Sequence, residues 1–81
     1  MLTVTLYGKP GCHLCEQALE VVLAVKAEVP FELVELNILD DQDLFAEYAE
    51  SIPVIEIEDS FFCRYRVDPD EFRQRLHKEQ N

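Results

Sequence analysis

The chain has 81 residues, 48% of them apolar, which makes one small domain over 1–81 with enough apolar surface for a core and too much for disorder. No apolar run approaches the roughly 20 residues that cross a bilayer, and Met1-Leu2-Thr3-Val4 has neither a basic stretch nor a small-residue cleavage site, so the expected setting is cytoplasmic, with reduced thiols and no membrane. The net charge of −10 is uneven, with 2 bases against 13 acids in residues 1–63 and 5 against 4 in residues 64–81, and so acidic a body excludes nucleic acid as a partner.

Residues 2–7 read as a short apolar strand, closed by the tight turn Gly8-Lys9-Pro10-Gly11. A helix follows over 12–28, where Cys15, Ala18, Leu19 and Val22 recur at helical spacing and Leu14, Val21 and Val25 widen the apolar face. Val29-Pro30 ends it, because proline restricts the residue before it and cannot continue the ladder. Residues 31–36 form a second strand, which Glu32 and Glu35 place at a sheet edge with access to solvent. The aspartates of loop 37–41 cap a short helix that carries Leu44, Phe45 and Tyr48 inward.

Residues 53–58 are a third strand, and the polar turn Glu58-Asp59-Ser60 leads to a fourth over 61–67, a hairpin by its spacing. Asp68-Pro69-Asp70-Glu71 opens the last helix with an N-cap acid, proline at the first position and a glutamate closing a capping box. Phe72 and Leu76 face the core there, and Arg73, Arg75, His77 and Lys78 lie near the helix end, where cations are favoured. The order β-α-β-α-β-β-α is an α/β fold. A right-handed crossover makes the first two strands parallel and the hairpin adds an antiparallel pair, giving a four-stranded mixed sheet sandwiched by three helices.

The chemistry sits at Cys12-His13-Leu14-Cys15, where the first strand gives way to a helix. Unpaired N–H groups and the positive dipole end of a helix favour thiolate over thiol at Cys12. Cys15 lies one helical turn on, within reach of a disulfide formed at Cys12, and belongs to the apolar stripe, so it is the less accessible of the two. In an unexported chain such a pair is catalytic or metal-binding rather than a structural disulfide. A structural zinc site wants four N or S ligands, of which this motif supplies two, and no metal ligand set is assigned. His13 tunes the redox pair if it is protonated, against an unfavourable dipole at that helix end.

Ser51-Ile52-Pro53 precedes the third strand, a position where proline costs no ladder bond, or where a cis Ile52–Pro53 bond would turn the Ile52 backbone toward an extended peptide. Cys63 reads as a small buried hydrophobe on one face with Phe61, Tyr65 and Val67. The acidic surface serves solubility first. It also favours a basic partner and disfavours anionic ligands away from the basic tail.

Tyr7-Gly8-Lys9-Pro10-Gly11-Cys12-His13-Leu14-Cys15, followed by Ile52-Pro53-Val54-Ile55, resembles the glutaredoxin branch of the thioredoxin superfamily, in particular its small Cys-x-x-Cys members. The resemblance spans essentially the whole chain. It implies a thioredoxin-like fold and a thiol–disulfide oxidoreductase that reduces protein or glutathione mixed disulfides, with Cys12 as nucleophile, Cys15 as resolving thiol and Pro53 in cis. It further implies that Lys9 favours the thiolate and touches a glutathione carboxylate, and that Tyr7 and Ile52 border the substrate. Asp68 either receives the glutathione amine or is a plain N-cap.

Two departures stand out. Glutaredoxins usually carry a glycine pair after the fourth strand, where this chain reads Arg64-Tyr65-Arg66-Val67-Asp68-Pro69. Residues 40–50 hold five acids and no base where glutathione binders often place a cation, which leaves Arg64 or Arg66 as the candidate replacement. No resident cofactor is implied. Expected partners of this monomer are a disulfide-bearing protein or glutathione, with glutathione or a reductase as reductant. The alternatives are an adaptor that kept the fold without turnover, and metal or iron–sulfur binding through Cys12 in a dimer.

Overall fold

Alternation along residues 3–8 buries Val4 and Leu6 on one side of an extended segment, and this becomes the central strand of a computed structural model that describes residues 1–80. The end of the domain expected over 1–81, residue 81, lies outside the described residues. The elements are β1 (Thr3–Gly8), α1 (His13–Lys26), β2 (Glu32–Asn37), a 3₁₀ turn (Ile38–Asp40), α2 (Gln42–Tyr48), β3 (Val54–Ile57), β4 (Ser60–Arg64) and α3 (Pro69–Gln80). The sheet order is β2-β1-β3-β4. β1 and β2 are parallel, while β1 with β3 and β3 with β4 are antiparallel, so the expected mixed sheet with three helices is the fold found.

Burial divides the molecule by face. Val4, Leu6, Ile55 and Ile57 of the sheet pack against Ala18, Val22 and Val25 of α1 and Phe72 and Leu76 of α3. A smaller cluster joins Ile38 to Cys15 and Ile52, with Tyr7, Leu44 and Tyr48 packed against it. β2 is an edge strand, as its glutamates require. No helix among the described residues is long and apolar enough to cross a membrane.

Several local expectations are corrected. The first helix closes at Lys26, because the N–H groups of Glu28 and Val29 both fold back onto the Val25 carbonyl and tighten the last turn. In α2, Leu44 and Tyr48 pack inward at i,i+4 spacing, but Phe45 lies about 100° round the helix and is 48% exposed. The fourth strand ends at Arg64 rather than at residue 67, and Tyr65 takes a left-handed φ of 68°. A bulge also pairs Ile55 with Cys63 and Glu56 with Phe61. Phe62 is the extra residue, so Phe62 and Cys63 both pack on the core while Phe61 is 58% exposed, and the expected shared face of Phe61 and Cys63 is lost.

The hairpin turns on two left-handed residues, Glu58 (φ 51°) and Asp59 (φ 65°), the conformation that matches strand twist. A glutamate is unusual there, and it is tied down on both sides: its N–H donates to the Thr3 carbonyl and its carboxylate accepts from the Thr3 N–H, each at 2.9 Å.

At the start of α3 the Asp68 carboxylate accepts from the N–H groups of Asp70 (2.8 Å) and Glu71 (3.2 Å), the Asp68 half of the expected capping box. We expect Asp68→Ala to lower the unfolding free energy by about 1 kcal/mol in urea melts. An unchanged stability would show that the cap is dispensable. Arg73 sits mid-helix rather than near the end, and its guanidinium bridges Glu28 at 2.8 Å and Asp70 at 2.9 Å, fastening α3 to the turn after α1.

Candidate functional site

β1 delivers the chain to Gly8, whose missing side chain is used: a Cβ there would stand 3.2 Å from the Cys15 sulfur. Gly11, at φ 74°, then turns the backbone through the left-handed region into α1. Cys12 becomes the N-cap, with extended backbone, and its sulfur accepts the Cys15 N–H at 3.2 Å. A group that ordinarily calls for a serine or aspartate oxygen is here a sulfur, placed against the donor end of the helix.

Cys12 and Cys15 are joined as a disulfide, their Cα atoms 5.2 Å apart. Cys15 is 6% exposed, whereas Cys12 is half-buried at the surface of the same cluster. The pair therefore offers one sulfur to solvent and shields the other.

Folding brings residues 52–53 to this pair across some forty positions of sequence. Ile52 packs with Cys15 and Ile38, and the Ile52–Pro53 bond is cis. Tyr7 is also in the cluster, but its hydroxyl turns away, donating to Glu56 Oε1 at 2.8 Å, and its ring stacks on Tyr48 with centroids 4.4 Å apart. Burial, reinforced by the Glu56 carboxylate, pushes the Tyr7 phenol well above its ordinary range, so it remains a donor. Burial raises Tyr48 as well. Glu56 and Tyr48 are not legible as site residues in the sequence. The available signal is a lone acid inside the apolar run of β3, where Val54, Ile55 and Ile57 are buried.

The remaining candidates lie around this centre. Lys9 is exposed in the turn before Cys12. The His13 side chain is 93% exposed, and its Nδ1 stands 3.9 Å from Glu16 Oε2. Asp68 is occupied as the α3 cap.

The glycine-free stretch keeps a glycine-like conformation at Tyr65, at a cost of about 1–2 kcal/mol for a side chain in that region. Compensation comes from the Tyr65 N–H to the Pro53 carbonyl (2.8 Å) and the Tyr65 hydroxyl to the Glu50 carbonyl (3.0 Å), with the Arg64 guanidinium 5.2 Å above the ring. Residues 50–53 are thus strapped to the end of β4.

Cys63 is the third thiol, partly buried and unpaired. Burial, with the Glu71 charge adding to it, pushes it up from its ordinary 9.0 to about 11. The folded state holds this proton more tightly than the unfolded state. The resulting stability is complete below pH 9 and lost as pH rises toward about 11. We expect urea stability to fall over that window, and Cys63→Ala to remove part of the fall. A variant with the same slope as the parent would reject the assignment.

Comparison with known proteins adds to this geometry. Residues 3–77 match the family model described as Glutaredoxin-like domain (DUF836). The Glutaredoxin-like protein YDR286C homolog of Dictyostelium discoideum is 24% identical over 92 residues, covering 96% of this chain and 85% of that protein. Among solved structures, Protein Ne2328 from Nitrosomonas europaea is 31% identical with a TM-score of 0.80, covering 93% of this chain and 91% of that one. A mutant thioredoxin from Halobacterium salinarum shares the fold alone, at 12% identity and a TM-score of 0.75 over 99% of this chain and 75% of that one.

Proposed function

The chain belongs to the glutaredoxin-like domain family of the thioredoxin superfamily, and from that premise we propose that it is a thiol–disulfide oxidoreductase working through Cys12 and Cys15. The observation that carries the reading is the asymmetry of the pair: Cys12 caps a helix at the surface, and Cys15 is buried one turn behind it. In the reduced protein the Cys15 N–H and the donor end of α1 interact most strongly with a charged Cys12 sulfur, which favours thiolate over thiol.

The Cys12 thiolate attacks one sulfur of a substrate disulfide, forming a mixed disulfide and expelling the other substrate sulfur as a thiolate. Cys15, deprotonated, then attacks the Cys12 sulfur, the Cys12–substrate bond breaks, and the second substrate thiol leaves. Two electrons pass from the protein dithiol to the substrate disulfide, and the protein is left as the Cys12–Cys15 disulfide. Glutathione or a dithiol reductase returns those two electrons. The ammonium of Lys9 favours the thiolate, and Ile52 and Pro53 border the incoming disulfide. Tyr7 contributes its ring, since its hydroxyl is committed to Glu56. His13, aimed at solvent, has at most a weak electrostatic effect, and Asp68 serves α3 before any ligand.

The test is turnover of a glutathionylated peptide and of a protein disulfide, with electrons supplied either by glutathione or by a dithiol reductase with its nicotinamide donor. We expect multiple turnovers with at least one donor. Complete reduction of Cys12–Cys15 with no turnover of either substrate would leave a fold without the activity.

A further inference from the structure

An open cavity of about 310 Å³ lies between the start of α1 and the ends of β1 and β2. Its apolar wall includes Leu19 and Leu36, and Cys15 also lines it. Ile52 and Pro53 do not, so it opens on the other flank of the disulfide from the proline. Three exposed charged residues border it, Lys9 against Glu16 and Glu35. Glu35 pairs with no cation among the described residues, and Glu16 reaches only His13, at 3.9 Å. At the small end of the roughly 300–1,000 Å³ typical of ligand pockets, the cavity suits one or two side chains rather than a cofactor.

We propose that this cavity is a specificity subsite that seats an apolar side chain next to the reactive cysteine of a protein substrate, within a positively charged segment. The inference rests on the thiol–disulfide reading above and names its substrate class. Three observations converge on it. The cavity shares Cys15 with the redox pair, so an occupant on this flank lies against the resolving sulfur, one helical turn behind the Cys12 sulfur that attacks substrate. Its wall is apolar, which rewards a desolvated aliphatic anchor. The border carries two carboxylates to one ammonium, and the body of residues 1–63 has a net charge of −11 (2 bases, 13 acids), so a cationic flank is attracted and an acidic one repelled. The Debye length of about 8 Å at physiological salt makes the nearby pair, Glu16 and Glu35, the decisive charges.

The test uses cysteine peptides carried as mixed disulfides with thionitrobenzoate. One has leucine and two lysines beside its cysteine, one leucine and two glutamates, one glycine and two lysines. Attack by reduced Cys12 on the peptide sulfur breaks the peptide–aryl S–S bond and releases the coloured aryl thiolate, which is followed by absorbance. We expect the leucine–lysine peptide to react about tenfold faster than either of the others. Glu16→Gln with Glu35→Gln should lose most of the lysine-over-glutamate ratio, whereas Glu47→Gln with Glu79→Gln, at exposed positions in α2 and α3, should keep it. Leu36→Gln should lose the leucine-over-glycine ratio. Because each ratio is taken within one variant, changes in the nucleophile or in overall stability cancel. Equal rates for all three peptides, or equal losses in the two double variants, would overturn the inference and leave the redox reading intact. No reaction with any peptide or with the symmetrical aryl disulfide would overturn both.

Discussion

Cys12→Ser is expected to lose disulfide reduction by at least about a thousandfold, while Cys15→Ser still attacks substrate once and stops at a mixed disulfide on Cys12. The two outcomes differ because the two sulfurs differ in position. Cys12 is the N-cap, accepting the Cys15 N–H at 3.2 Å, and a serine oxygen there would cap the helix equally well without the nucleophilicity of a thiolate. The loss of activity is thus separable from any loss of structure, and unfolding curves of Cys12→Ser should remain close to those of the reduced parent. Cys15 is buried, so removing its sulfur spares the first attack and abolishes the second. Mass spectrometry of the Cys15→Ser protein after mixing with a disulfide substrate should show one substrate adduct, mapped to Cys12. Equal behaviour of the two variants, or an adduct on Cys63 instead, would reverse the assignment of roles.

Phe72→Ala is expected to cost about 3–5 kcal/mol of unfolding free energy, several times the effect of removing the Asp68 cap. Phe72 is fully buried, with its ring centroid 5.7 Å from Phe31 in an edge contact and 5.6 Å from Phe62. It joins α3 to the strand entering β2 and to the bulged β4. Single domains hold only about 5–15 kcal/mol in total, and a chain of 81 residues buries a modest fraction of its surface. The variant should unfold at a far lower urea midpoint, with loss of near-ultraviolet aromatic signal. A cost below about 1 kcal/mol would mean that Phe31 and Phe62 close the gap unaided. The Arg73 bridges to Glu28 and Asp70, exposed on the same helix, belong to a class worth about 0–1 kcal/mol each and should be dispensable by comparison.

Much of this is readable before folding because the signals are local. Helical spacing of Cys15, Ala18, Leu19 and Val22, widened by Leu14, Val21 and Val25, predicts the apolar face of α1. Of these, Cys15, Ala18, Val22 and Val25 are buried, while Leu14, Leu19 and Val21 are half-buried at its margins. Asp68-Pro69 starts α3 through a cap that needs only its own backbone, and Glu32 and Glu35 mark a strand that does lie at the edge. Expectations fail where a longer-range contact overrides the local pattern. Apolarity alone places Phe45 inward, but α2 has seven residues and turns only one narrow stripe toward Ile38 and Ile52. Cys63 and Phe61 share a face under strict alternation, and the bulge opposite Ile55 and Glu56 breaks that alternation.

The order of elements, the thiol at a helix start and the second thiol one turn behind it follow from the sequence alone, because spacing, caps and turns act over a few residues. Tertiary structure alone decided what surrounds that pair. Antiparallel pairing sets Tyr7 opposite Val54 and so puts its hydroxyl on Glu56, one step diagonally across the sheet. Packing of Ile52 against Cys15 and Ile38 brings the proline segment to the disulfide, and Tyr65, in the left-handed region without being a glycine, straps that segment to β4. The same assembly leaves an acid-bordered cavity against Cys15. These neighbours depend on strand register and on burial of distant residues in one core, which no local pattern encodes.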